Sequence, residues 1–179
     1  GYRAGGRTAG ALQGADITIL KSTIGSFSDP VKAKSISQTL ISQGADVLFQ
    51  LAGVSGLGVI EAVKEASDQR FAIGVDINQD DLAPGKVLTS VLKRMDKAVS
   101  DQIVDAYEGR FDAGIYEVGL KDGYVELTDM VHTRHLVPDK AFAVLDQARE
   151  AIISGSIAVP STYAAEETFE LPVEEFQVQ

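Results

Sequence analysis

Apolar, β-branched runs alternate with helix-period segments over residues 15 to 76, and no other feature constrains the fold as much. "ADITILKSTIG" (15 to 25) predicts a strand. "DPVKAKSISQTLISQGAD" (29 to 46) predicts a helix with Asp29 as N-cap, Pro30 at its first position and Gly44 as its stop. "DVLFQLAG" (46 to 53) follows as a strand, "GLGVIEAVKEASDQ" (56 to 69) as a helix and "FAIGVD" (71 to 76) as a strand. Strand and helix in turn imply crossover connections and a parallel sheet, hence an α/β fold with helices flanking the sheet.

After the "LAPGK" turn the pattern continues with a strand "VLTSVL" (87 to 92) and an amphipathic helix "MDKAVSDQIVDAYEG" (95 to 109) closed by Gly109. "FDAGIYEVGLKDGYVELTD" (111 to 129) reads as two short strands about a Lys121-Asp122-Gly123 turn, a hairpin signal. "VPDKAFAVLDQAREAIISGSIAVP" (137 to 160) predicts a helix from an Asp139 cap to Gly155. The tail from 161 to 179 carries five glutamates and no basic residue, and is expected to be an exposed acidic segment with a short extended piece.

The chain has 179 residues, 45% hydrophobic and 23% charged, which suits a packed globular protein and excludes a disordered or fibrous one. No apolar run approaches the roughly 20 residues of a spanning helix. With 26 acidic residues against 16 basic ones the formal net charge is -10, so nucleic acid is not an expected partner. The absence of cysteine removes disulfides, thiolate catalysis and cysteine-ligated zinc. "GYRAGG" at the start lacks the apolar core of a signal peptide and does not begin with methionine, so the chain reads as processed or truncated.

Parallel α/β sheets bind ligands beyond the carboxyl ends of their strands. Two of those ends deliver charge: Asp76 closes "FAIGVD" and Lys93 closes "TSVLK". An ion at a strand exit is tolerable where water or a polar ligand reaches it, so the pair suggests a cleft. Asp76 can accept two hydrogen bonds from a ligand, or simply cap the next turn through its own backbone. Phe27 and Phe49 stand at two other exits, where a ring can stack on a planar ligand or pack in the core. Gly53, Gly56 and Gly58 offer a phosphate a helix amino terminus, but not at G-x-G-x-x-G spacing. Ser55 in "GVSGL" nearly spells a nucleophile elbow; no histidine sits at a sensible strand exit to act as base, and it reads as a helix cap. "DINQDD" lacks the glycine and closing glutamate of a calcium loop. His132 and His135, just before a proline, lack a third ligand and read as a solvated pair. No cofactor is expected, and no base, metal cluster or nucleophile supports an enzyme.

Taken together, "GSFSDPVKAK" (25 to 34), "GADVLFQLAGVSGLGVIEAVKEA" (44 to 66), "AIGVDINQDDLAPGKVLTSVLKRMDKAV" (72 to 99), "GLKDGYVEL" (119 to 127) and "ISGSIAVP" (153 to 160) resemble the basic membrane protein family of substrate-binding lipoproteins, which includes purine nucleoside receptors. The resemblance runs in order over residues 1 to 160 and implies a type I periplasmic-binding-protein fold, two α/β lobes that close on a small ligand and deliver it to an ABC importer. On that reading residues 1–76 form an α/β lobe lacking its first strand, 77–112 a crossover and part of the second lobe, 113–160 a return to the first lobe, and 161–179 the acidic segment. A signal peptide, a lipidated cysteine and most of the amino-terminal lobe are expected before residue 1, which makes this a carboxyl-terminal fragment.

The resemblance also implies roles. Asp76 and Lys93 match the residues that hold ribose hydroxyls in nucleoside-binding relatives, and Phe49, with Phe27 second, matches the aromatic residues that sandwich the base. Gly53 completes the expected ligand-binding set of Phe27, Phe49, Gly53, Asp76 and Lys93. The implied partners are a nucleoside-like ligand, an ABC transporter permease and the missing amino-terminal lobe; the implied location is the periplasm or the extracytoplasmic face of the plasma membrane, by a lipid anchor. The alternative is a regulatory domain of the same fold that signals to a partner.

Overall fold

The computed structural model of the protein describes residues 1–160 together with Thr162, Phe169 and Phe176. It divides into two compact units, one of residues 22–136 and one of residues 1–21 with 137–179. The expected acidic tail lies almost wholly outside the described residues.

The larger unit holds the sheet. Helix α2 (Pro30–Ser42) starts where the sequence places it, the Asp29 carboxylate accepting from Lys32 N at 2.9 Å. Strand β1 (Val47–Phe49), helix α3 (Gly56–Glu65), strand β2 (Phe71–Asp76), strand β3 (Val87–Lys93), helix α4 (Met95–Tyr107) and strand β4 (Val125–Leu127) follow. The sheet order is β1-β2-β3-β4, the first three parallel and β4 antiparallel to β3. Leu48, Ala72 and Val87 from the three parallel strands pack with Ala33 of α2 and Val59, Ile60 and Val63 of α3 into one core. Each fully buried valine or isoleucine there contributes about 1.5–3 kcal/mol.

The smaller unit contains α1 (Tyr2–Gln13) and α5 (Asp139–Ser154), the latter closed by Gly155 at φ 81° as its sequence predicts, although Asp139 is its first residue and not its cap. The strand expected over 15–25 does not form. Ile17 and Ile19 lie back along α1 against Gly10 and Gly6, and no sheet strand is there to receive the backbone of this segment. The hairpin expected over 111–129 is also absent. Its turn exists, with Tyr124 N donating to Gly119 O at 3.0 Å, but the arm after it, β4, is taken up by the edge of β3.

Helix α4 is inverted for a surface helix. Lys97 pairs with Asp101, the Tyr124 hydroxyl donates to Asp101 Oδ2 at 2.6 Å, and Lys97 Nζ lies 4.3 Å from the Tyr124 ring centre. The apolar row Met95, Val99, Ile103 and Tyr107, about 160° round the helix from Lys97 and Asp101, is exposed. Phe111, Ile115, Tyr116 and Val118, in the segment after the helix, are exposed as well. The start of α4 is held by Arg94, whose guanidinium donates to Asp96 and, at 2.8 Å, to Glu126 of β4. These bonds, first of all the one from Arg94 to Asp96, raise the Arg94 pKa and hold the Asp96 carboxyl at about 2.

A Cβ on Gly58 would sit 1.9 Å from Pro30 O, so Gly58→Ala destabilises the intact protein by about 1–3 kcal/mol in chemical denaturation, whereas helix propensity alone predicts a gain of up to about 1 kcal/mol. The depressed Asp96 pKa marks a contribution that is present above its ordinary value near pH 4 and lost as pH falls toward about 2. In a carboxyl NMR titration Asp96 should therefore titrate near 2, and Arg94→Met should move its midpoint up toward about 4.

Candidate functional site

β2 and β3 run side by side with Asp76 opposite Leu92, which brings the next residue of β3, Lys93, beside the aspartate. Lys93 Nζ lies 2.7 Å from Asp76 Oδ1, with the side chains 64% and 46% exposed. Oδ1 itself is closed off from solvent and has no well-aligned hydrogen bond, so the Lys93 ammonium is the charge that answers it. A pair this exposed is worth at most about 1 kcal/mol. Against that, Asp76 is held at φ 71°, in the left-handed region, with Ile77 N donating to Val75 O at 2.9 Å across it. A non-glycine residue in such a three-residue turn costs about 1–3 kcal/mol. Stability alone does not account for an aspartate here, since the strain equals or exceeds what the ion pair returns.

Phe27 and Gly53 also come together. Gly53 is at φ 56°, and a Cβ there would lie 3.5 Å from Phe27 Cβ and Cδ1. The Phe27 ring is 74% exposed while its carbonyl accepts from Ser55 N at 3.1 Å, so the backbone is fixed and the ring projects outward. Ser55, expected as a cap for α3, makes no such bond; its Oγ accepts from Asp29 N at 2.8 Å and donates to Ser26 O at 2.9 Å, binding the Phe27 loop to the turn after β1. Phe49 is partly buried in β1 opposite Ile73, about 10 Å along the sheet from the Asp76 position at three residues' rise. Gly56 and Gly58 abut the Gln50 side chain and Pro30 O, so close packing explains them without a phosphate. His132 pairs with Asp81 at 2.7 Å instead of standing as a solvated partner of His135.

Four residues outside the expected ligand-binding set lie buried nearby, Gln50, Gln79 and Asp80 just past their strands and Ser90 within β3. Gln50 Nε2 donates to Gln79 Oε1 at 2.8 Å, and Gln50 Oε1 accepts from Ala52 N at 3.1 Å. Gln79 Oε1 also accepts from Val75 N at 3.1 Å, and Gln79 N donates to Ser90 Oγ at 3.1 Å. Ser90 Oγ in turn donates to Asp80 Oδ1 at 2.8 Å, while the other oxygen of buried Asp80 is closed off without a partner. The available signal was an uncharged amide one residue past a strand and another three residues past a strand: a group that both donates and accepts suits a place where ladders end.

Phe27, expected at a strand exit, stands instead in the loop before α2, and the helix-flanked sheet accords with the comparisons. The family model described as "ABC transporter substrate-binding protein PnrA-like" matches residues 1–163. Basic membrane protein A of Borreliella afzelii is 32% identical over 172 residues, covering 94% of this chain and 50% of that protein. Basic membrane protein D of Borreliella burgdorferi is 30% identical over 182 residues, covering 97% and 50%. The chain thus spans about half the length of these curated relatives. Among solved structures, a solute-binding protein of an ABC transporter system from Aeropyrum pernix superposes with a TM-score of 0.80 at 27% identity, over 93% of this chain and 55% of that one. A transcriptional activator of the comK gene from Bacillus halodurans superposes with a TM-score of 0.66 at 27% identity, over 75% and 46%. The fold is that of the periplasmic binding proteins, and the chain belongs to the PnrA-like family of ABC-transporter substrate-binding proteins.

Proposed function

We propose that this chain is part of the solute-binding component of an ABC importer and that its ligand is a nucleoside or a similar small polar molecule. The observation that carries the reading is the Asp76–Lys93 pair: two opposite charges 2.7 Å apart, half-exposed, at adjacent strand exits. A vicinal diol can donate to the carboxylate and accept from the ammonium at once, leaving neither ion unsatisfied when water is expelled. The exposed Phe27 ring, braced by Gly53, and Phe49 supply the faces on which a base stacks. Binding and release require no chemistry, so the protein acts by closure around the ligand and not by catalysis.

Closure needs a second wall. The exposed apolar row of α4 supports a second lobe, since a family whose curated members carry about twice this length has the chain to cover it. Ligand then favours the closed state by contacts that exist only there. An extracytoplasmic location, a lipid anchor and a permease partner follow from the family reading. Among the described residues no helix is long and apolar enough to cross a membrane. The regulatory alternative has the Bacillus halodurans neighbour behind it, over a smaller part of the chain, and the family model favours transport.

Titration calorimetry of the intact protein with adenosine, guanosine and inosine should give saturable heat with at least one; no heat with any would reject the ligand class. Asp76→Ala should weaken that binding by about 1–3 kcal/mol, roughly five- to 150-fold. Stability should respond differently: Asp76→Gly should exceed Asp76→Ala by about 1 kcal/mol in denaturation, because glycine relieves the left-handed strain, while both lose the ligand contact.

A further inference from the structure

The strained turn that carries Asp76 has an identifiable cause. Along β2 the odd-numbered residues bond toward β1, with Phe71 N donating to Asp46 O at 2.9 Å and Gln50 N donating to Ile73 O at 3.4 Å. Ala72 bonds the other way, its N donating to Lys86 O at 2.8 Å. By that alternation Val75 directs its N–H and C=O toward β1, but β1 has already ended opposite Ile73. Both groups are satisfied locally. The N–H goes to Gln79 Oε1 at 3.1 Å, and the C=O accepts from Ile77 N at 2.9 Å in the turn over Asp76.

Gln79 is itself fixed from three sides. Gln50 Nε2 donates to the same Oε1, Ser90 Oγ accepts from its backbone N–H, and the side chain lies on Gly74, where a Cβ would come within 2.8 Å of Oε1. The residue is 6% exposed, so its bonds compete little with water. The amide thus takes the place of the strand that β1 does not supply, and in doing so fixes the path of residues 75 to 79.

We infer that Gln79, held by Gln50 and Ser90, is a positioning residue that maintains Asp76 in its left-handed turn against Lys93 and so sets the affinity of the site without touching the ligand. The inference rests on the ligand reading above only for the affinity part of its test. Gln79→Met keeps the length and apolar stem but removes the acceptor. Gln79→Glu keeps an acceptor at Oε1, which is the atom that both Val75 N and Gln50 Nε2 use. Val63→Ala, in the buried core on α3, serves as a variant that destabilises the same unit away from the turn.

In the intact protein, with inosine, adenosine and guanosine as probes, Gln79→Met should lower affinity about tenfold or more beyond the loss in Val63→Ala, and Gln79→Glu should recover most of it. Amide exchange reads the same device without a ligand: in Gln79→Met the Val75 N–H should exchange about a hundredfold faster, with Ala72 little changed. Unchanged Val75 protection, or an affinity loss no greater than that of Val63→Ala, would overturn the inference. If the unaltered protein binds none of the three nucleosides, the ligand reading fails, and the exchange of Val75 alone decides whether Gln79 holds the turn.

Discussion

A parallel sheet whose middle strand outruns its neighbour has a backbone problem at the exit, and here that problem and the candidate site coincide. β2 continues to Asp76 while β1 stops at Phe49. Each polar backbone group left over needs a partner, because a buried unpaired N–H or C=O costs as much as a lost hydrogen bond or more. The chain answers with a turn so tight that its central residue takes a left-handed conformation. Placing an aspartate there, where glycine would be comfortable, is a choice that folding energy does not explain.

The rest of the unit can be understood as the support for that exit. α2 and α3 lie close enough that Gly58 meets Pro30 O without room for a methyl group, and their shared core fixes β1 and β2 from one face. β3 brings Lys93 to the turn and, through Ser90, holds Gln79 and Asp80 beneath it. Thr128, next to β4, closes the other side, its Oγ1 accepting from Ser90 N at 3.0 Å. The ions sit on a floor of buried polar groups, the Gln50 and Gln79 amides and the Ser90 hydroxyl, with the Asp80 carboxyl bonded to Ser90. Such a floor can keep two charges half-exposed at fixed positions, where long flexible side chains on a loop would wander.

Much of this was legible in the residues, and the parts that were not share a reason. Asp29-Pro30 marked the start of α2, and the run 71–76 matched β2 at both ends, because caps and short apolar strands are written locally. The charges at positions 76 and 93 were visible as anomalies in apolar runs, and strand order then made them neighbours. The segment 15–25 misled: its β-branched residues were suited to a strand, but a strand also needs a neighbour, and its isoleucines met a helix. Likewise the hairpin after residue 111 lost its second arm to β3, a pairing that depends on residues more than thirty positions away. Gln50 and Gln79 were silent because an amide reveals its work only when two distant strand ends are brought together. In α4 the apolar period was plain, yet which face turned outward was set by the Lys97, Asp101 and Tyr124 contacts and not by the period.

Asp76 and Lys93 are to act on one ligand together, and a double-mutant cycle on nucleoside binding measures that coupling directly. With Asp76→Ala, Lys93→Met and the combination in the intact protein, the affinity losses should be non-additive by about 1 kcal/mol or more, the second substitution costing little once the first is made. Losses that add to within about 0.5 kcal/mol would mean that the two charges act independently, and the shared grip would be contradicted.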